Sequence, residues 1–329
     1  MNTSQTQNSA RIAVATIPRA AGLAAGIIAA LREHGLDAAQ YDVNRLDEVA
    51  DMSEVEVLLS IGVLCRAQEM DRMPRLRAIV SPVLGFDWID ADEATRRGIA
   101  VCNTEAAENR EGMAESTIML LLALLYRLQD TEALLRTNAG ADPIKRHILK
   151  GRTLGIIGWG GITREVIARL AAWGCHFIVH SRSASAPVPG VSFVPLDELL
   201  ARADAILVLT SLNPATRHML GREQFAMVRP GTLLVNTARG AIIDEAALVE
   251  ALKSGQLGAA AIDVFEKEPC PPDHPLRELP NVILTPHCIG HNEEAKEAGP
   301  GLTAGILKTL AEGGMPDSCR NAEALARRD

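Results

Sequence analysis

Aromatic side chains make up only 3% of this 329-residue chain. Its cores must therefore be built from Ala, Leu, Ile and Val, a composition suited to parallel sheets covered on both faces. Long apolar runs are missing too. The most apolar stretch, Ile118–Tyr126, falls far short of the ~20 residues that span a bilayer. It reads as a buried helix with Glu115 and Arg127 at its ends. Residues Met1–Ala10 are polar and lack the apolar segment of a signal peptide, so they read as a loose tail. Positive charge is not in excess. A net charge of −8 argues against a nucleic-acid surface and leaves room only for a local basic patch. The six cysteines (Cys65, Cys102, Cys175, Cys270, Cys288 and Cys319) form no C-x-x-C pair and no metal-ligand spacing. No metal is expected, and the thiols read as reduced and mostly structural in a cytoplasmic protein. Internal repeats and low-complexity tracts are absent as well.

The length suggests two domains. Strand candidates at Arg11–Ile17, Ala39–Val43, Val55–Ile61, Leu76–Ser81 and Ile99–Cys102 alternate with helical segments such as Ala20–His34. That alternation predicts a parallel sheet. The first strand is followed by IPRAAG, without a glycine-rich phosphate turn, which makes this half a candidate substrate domain. A helix over Met113–Leu128 leads out of it, and polar, irregular Asn138–Lys150 precedes a second α/β pattern. Its strands are expected at Thr153–Ile157, Phe177–His180, Ala205–Leu209, Thr232–Asn236, Gly258–Val264 and Val282–Thr285. Asp244 stands where it can cap the helix Glu245–Ser254. The last helix, Asn292–Glu312, is expected to return to the first domain.

The second half opens with GRTLGIIGWGGITREVIARLAAW, Gly151–Trp173. A buried strand, a turn with Gly158, Gly160 and Gly161, and an amphipathic helix form the first unit of a dinucleotide-binding fold. Gly158 permits the turn, Gly160 lets the backbone approach a pyrophosphate, and the helix N-terminus near Gly161 and Ile162 faces the anion. Thr163 stands where the pattern has its third glycine; a helix seated slightly further from the sheet would tolerate it. One strand later comes HSRS, His180–Ser183. No carboxylate is available there for a ribose 2′-hydroxyl. Ser181, Arg182 and Ser183 suit a 2′-phosphate instead, which favours NADP(H) while leaving NAD(H) open; the bland alternative for Arg182 is a solvated surface arginine.

Three further segments begin at strand ends, where ligands of open α/β sheets bind. VNTARG (Val235–Gly240) places Arg239 to hold a carboxylate through two parallel hydrogen bonds, or else to pair with a nearby acid for stability. IDVFEKEP (Ile262–Pro269) and LTPHCIG (Leu284–Gly290) bring Asp263, Glu268 and His287 to the same edge. A histidine backed by a carboxylate, which favours the imidazolium and fixes the tautomer, exchanges protons near neutral pH. His34, His147, His176, His180, His218, His274 and His291 read as surface or structural.

Taken in order, LGIIGWGGI (Leu154–Ile162), LTSLNPATRHML (Leu209–Leu220), VNTARGAIIDEAAL (Val235–Leu248), GAAAIDVFEKEP (Gly258–Pro269) and TPHCIG (Thr285–Gly290) resemble the D-isomer-specific 2-hydroxyacid dehydrogenases over nearly the whole chain. The resemblance implies an α/β protein of two Rossmann-like domains with doubly wound parallel sheets and the active site in the interdomain cleft. Residues 1–112 and 295–329 would form a flavodoxin-like substrate (catalytic) domain, and 113–294 the dinucleotide-binding Rossmann domain. It assigns catalysis to Arg239, Glu268 and His287. It also adds Trp159, Thr210, Thr237, Ala238, Arg239, Asp263, His287 and Gly290 to the cofactor residues. A homodimer is expected, without nucleic-acid or membrane partners. The family's G-x-G-x-D substrate turn reads Val83-Leu84-Gly85-Phe86-Asp87 here, followed by Trp88. The amides of Leu84 and Gly85 would still hold a substrate carboxylate, with Phe86 and Trp88 serving domain packing.

The implied reaction is hydride transfer between NADP(H) and a small 2-oxo or (R)-2-hydroxy acid, with glyoxylate or hydroxypyruvate reduction first. Phosphoglycerate-type, phosphite-type and formate-type dehydrogenases are alternatives within the fold. A dinucleotide-sensing, corepressor-like binding protein is the alternative from another class, although a pure sensor has no need of all of Arg239, Glu268 and His287.

Overall fold

The computed structural model describes residues 11–137, 144–182 and 187–326. The chain divides into two compact units, Met1–Asn109 with Asn292–Asp329, and Arg110–His291.

The first unit holds five strands: β1 (Ile12–Thr16), β2 (Ala38–Asp42), β3 (Val57–Ile61), β4 (Ala78–Ser81) and β5 (Ala100–Asn103). All pair in parallel, in the flavodoxin-like order β2-β1-β3-β4-β5. Every residue of β1, β3, β4 and β5 is buried, while edge strand β2 has none that is. Central strands covered on both faces have to be apolar throughout, which is why they read as continuous runs in the sequence. The helix Ala21–Glu33 buries Ala24, Ile27, Ile28 and Leu31, one helical stripe, against this sheet. The helix Glu293–Ala311 reaches the same layer through Ala304, Leu307 and Leu310; it is not the last helix, since a short one, Ala322–Ala326, follows it. Asn292 caps the longer of the two, its Oδ1 accepting from the Ala295 N–H at 2.7 Å.

The second unit contains β6 (Thr153–Ile157), β7 (His176–His180), β8 (Val191–Phe193), β9 (Ala205–Val208), β10 (Thr232–Asn236), β11 (Leu257–Ile262) and β12 (Val282–Leu284). The parallel sheet runs β12-β11-β10-β9-β6-β7-β8. The chain first adds strands on one side of β6, then crosses to the other with β9. That reversal is the switch point at which dinucleotides bind in such folds. Successive residues of β6 enter opposite layers. Ile156 packs with Leu121 and Val166, and Ile157 with Leu199 and Leu248. Asp244 caps the helix Glu245–Lys253 as expected, accepting from the Ala247 N–H at 3.1 Å.

Two local expectations change. The helix expected over Met113–Leu128 runs from Ala107 to Leu125. Its first turns, AENREG, carry too little apolar residue for periodicity to register. At its far end Arg127 turns to φ 48° and a second helix, Leu128–Arg136, begins. Strand β8 was not expected at all: three residues at a sheet edge, none of them buried, leave no apolar run to read. Among the described residues, no helix is long and apolar enough to cross a membrane.

Candidate active site

Gly158 follows β6 at φ 110°, a region that side chains avoid. Its N–H donates to the His180 carbonyl at 2.8 Å. A Cβ there would meet the Leu209 carbonyl oxygen at 2.6 Å and the Thr210 nitrogen at 2.8 Å, so the fold itself requires this glycine. Gly160 differs: a Cβ would find no protein atom within 4 Å. Nothing in the protein's own packing calls for glycine there, as expected where backbone makes room for a phosphate. Gly160 leads directly into the helix Gly161–Leu170, whose first N–H groups have no acceptor within the helix. Thr163 is fully buried, and its hydroxyl donates to the Gly158 carbonyl at 3.0 Å. The residue that breaks the glycine pattern thus braces the turn. Trp159 and Phe193 of β8 form a T-shaped pair, with ring centroids 5.1 Å apart, and the Arg164 guanidinium lies over the Trp159 ring at 5.1 Å. Ser181 and exposed Arg182 follow the end of β7. Ser183 lies outside the described residues.

At the carboxyl ends of β10, β11 and β12 the structure gathers Arg239, Glu268 and His287. Asn236 shapes the first turn: its Oδ1 accepts from the Ala238 N–H and its Nδ2 donates to the Arg239 carbonyl, both at 3.0 Å. Thr237 is buried with its hydroxyl 3.0 Å from that of Thr117. The following Gly240 runs against the next loop, where a Cβ would come within 2.0 Å of the Phe265 carbonyl carbon. Main chain therefore touches main chain between the Arg239 turn and the loop that carries Glu268.

Glu268 uses both oxygens. Oε1 accepts from the Phe265 N–H at 3.0 Å, and Oε2 lies 2.6 Å from Nδ1 of His287. Burial pushes the Glu268 carboxyl up. The hydrogen bonds from His287 and Phe265 and the charges of His287 and Arg239 outweigh it, holding the group below the ordinary glutamate range. The His287 backbone sits at φ 53°, an uncommon conformation for a residue with a side chain. Its N–H donates to the Asp263 carbonyl at 2.8 Å. Asp263 has a different task from Glu268. Its carboxylate is 2% exposed and accepts from the Thr285 hydroxyl and from the N–H groups of Cys288 and Ile289. It organises the histidine loop and leaves the ring to Glu268. Gly290, at the end of that loop, is buried against Met113.

A second histidine–glutamate pair shows what a structural one looks like. His274 Nε2 lies 2.9 Å from Glu245, and its Nδ1 accepts from the Leu276 N–H, on a side chain only 10% exposed. Both ring nitrogens are engaged there. The His287 side chain is 43% exposed, with Nδ1 committed to Glu268.

In the first unit, the segment 83–88 is pinned from within. Asn103 Nδ2 donates to the Leu84 carbonyl at 2.5 Å, and the Ser81 hydroxyl to the Gly85 carbonyl at 2.6 Å. Phe86 and Trp88 pack on the layer that contains Leu58 and Ile79, which is the packing role read for them. Asn103, Asn236 and the hydroxyl of Thr163 were missed by the sequence reading. Each acts through hydrogen bonds to particular backbone or side-chain atoms, and residue type alone carries no such signal.

Residues 118–288 match the family model described as D-isomer specific 2-hydroxyacid dehydrogenase, NAD binding domain. The chain is 35% identical over 268 residues to a glyoxylate reductase of Thermofilum pendens, covering 79% of each. It is 38% identical to a D-3-phosphoglycerate dehydrogenase of Methanocaldococcus jannaschii, over 84% of this chain but only 53% of that one. Among solved structures it is similar to an NADPH-dependent glyoxylate/hydroxypyruvate reductase of Sinorhizobium meliloti in complex with NADP and malonate, with a TM-score of 0.84, 29% identity, and 95% and 97% of the two chains covered. A D-lactate dehydrogenase of Aquifex aeolicus complexed with NAD and lactic acid gives a TM-score of 0.81 at 26% identity, covering 92% and 96%. The chain belongs to the D-isomer specific 2-hydroxyacid dehydrogenases. It is an oxidoreductase that uses a nicotinamide dinucleotide.

Proposed function

We propose that this enzyme reduces a small 2-oxo acid, glyoxylate or hydroxypyruvate, with NADPH. The observation that carries the reading is the arrangement of Arg239, Glu268 and His287 at one sheet edge, with Nδ1 of His287 on Glu268 at 2.6 Å. When bound, the nicotinamide supplies the hydride. Arg239 holds the substrate carboxylate and polarises the carbonyl whose oxygen gains charge. His287 donates the proton to that oxygen from Nε2, and Glu268 fixes the ring's tautomer and orientation. In oxidation the same groups run in reverse. The Leu84 and Gly85 amides are assigned to the substrate carboxylate on the resemblance of their loop. Gly158, Gly160, Gly161 and Ile162 would cradle the pyrophosphate, with Trp159, Thr210, Thr237, Ala238, Asp263 and Gly290 around the rest of the cofactor.

The preference for NADPH rests on Ser181 and Arg182, which follow β7 with no carboxylate among them. The relative from Sinorhizobium meliloti, described as NADPH-dependent, supports the same reading. The expected homodimer would bury the exposed apolar side chains Met119, Tyr126, Leu128 and Trp173 of the second unit.

A panel of 2-oxo acids assayed at 340 nm with NADPH and with NADH tests both parts. Activity highest on glyoxylate or hydroxypyruvate with NADPH is expected. Equal or higher kcat/KM with NADH would overturn the cofactor assignment. Silence across the panel with tight cofactor binding would indicate a sensor.

A further inference from the structure

Cys102 lies in β5 and is fully buried, while Cys319 is half-buried in the segment between the helices Glu293–Ala311 and Ala322–Ala326. The two residues face each other as antiparallel bridge partners. The flanking hydrogen bonds run from the Asn103 N–H to the Ser318 carbonyl at 3.4 Å and from the Arg320 N–H to the Val101 carbonyl at 2.7 Å. They belong to the neighbours of the two cysteines, so Cys102 and Cys319 form the close, non-hydrogen-bonded type of pair. In such a pair the Cα atoms are about 4.5 Å apart and the side chains lie on the same face. Disulfides span Cα separations of roughly 4.4–6.8 Å. The backbone here already holds the two thiols within bonding reach.

We propose that Cys102 and Cys319 are a redox-active pair that closes reversibly into a disulfide, tying the C-terminal segment to β5. The two thiols have unlike roles. A hydrogen bond from Cys102 holds the Cys319 thiol below the ordinary cysteine range, and the same bond, together with burial, pushes Cys102 up. Cys319 is also the more accessible of the two. It attacks one sulfur of a low-molecular-weight disulfide as the thiolate, forming a mixed disulfide and releasing one small thiol. Cys102 then loses its proton and attacks the Cys319 sulfur, releasing the second small thiol. Two protein thiols are oxidised, one small disulfide is reduced to two thiols, and both protons leave with them. The cross-link would flank Asn103, whose Oδ1 accepts from Arg320 Nε at 2.6 Å and whose Nδ2 holds Leu84.

The test uses the full-length protein equilibrated with oxidised glutathione, alkylated, and digested without reduction. Mass spectrometry should find one peptide pair joined through Cys102 and Cys319, which dithiothreitol abolishes. Alkylated thiols should fall from six to four. In Cys102→Ala, Cys319 should stop as the glutathione mixed disulfide; in Cys319→Ser, Cys102 should stay reduced. The wild-type peptide map stands without either variant. Full alkylation of both cysteines after oxidation, or a mixed disulfide on wild-type Cys319 that never resolves, would overturn the proposal.

Discussion

Replacing Thr163 by glycine would restore the sequence pattern of a phosphate-binding turn, and the structure says that it should weaken the protein. The Thr163 side chain is wholly buried, and its hydroxyl donates to the carbonyl of buried Gly158 at 3.0 Å. Thr163→Val keeps the shape and removes the donor. Leaving a buried carbonyl unpaired costs about 1–3 kcal/mol. Thr163→Gly adds the loss of two buried carbons, Cβ and the methyl, about 1.6 kcal/mol together, and a few tenths for glycine in a helix. The expected totals are about 1–3 kcal/mol for valine and about 3–5 kcal/mol for glycine. A domain of this size loses roughly 2–4 °C of Tm per kcal/mol. Calorimetry of both variants should therefore show a graded fall, glycine below valine below wild type. The N–H groups of Gly161 and Ile162 are untouched, so NADPH affinity of the folded protein should move less than about twofold, well under the 1.4 kcal/mol of a tenfold change. A glycine variant as stable as wild type would refute the bracing role of the hydroxyl.

Gly160→Ala is the complementary experiment. With no protein atom near the new methyl, stability should change by less than about 1 kcal/mol, the scale of a helix-cap substitution, while NADPH binding weakens at least about tenfold, which titration calorimetry would read. His287→Asn should lower kcat by roughly 10²–10⁴ in steady-state assays with cofactor affinity unchanged, and asparagine tolerates the positive φ at this position. The carboxyl of Glu268 is held below its ordinary value. Its contribution to stability is thus complete above the unfolded value, near pH 4.3, and is lost as pH falls through the lower folded value. Urea midpoints of Glu268→Gln measured from pH 7 to pH 3 should fall less steeply with acid than those of wild type.

The sheets and the site were legible for different reasons. Buried parallel strands such as Val57–Ile61 and Thr232–Asn236 declare themselves because both faces must be apolar. Strand β8 does not, because an edge strand of three residues, none of them buried, has no such obligation. Arg239, Glu268 and His287 were legible because each follows a strand end, where the fold presents side chains to ligands. The residues by themselves left open which of Asp263 and Glu268 backs the histidine, and the family resemblance pointed to Glu268. The geometry gives the physical reason: the aspartate is bonded to the Thr285 hydroxyl and two N–H groups, whereas the glutamate lies 2.6 Å from Nδ1. The start of the helix at Ala107 was hidden by its polar first turns.

The contact at Gly240 has a consequence for how this enzyme can change. Arg239 and the loop bearing Glu268 meet through backbone pressed on backbone at Gly240, so any side chain introduced at that position would force the two loops apart. New substrates have to be won at the residues surrounding the acid and the arginine, since the distance between those two is the one dimension of the site that drift cannot adjust in small steps.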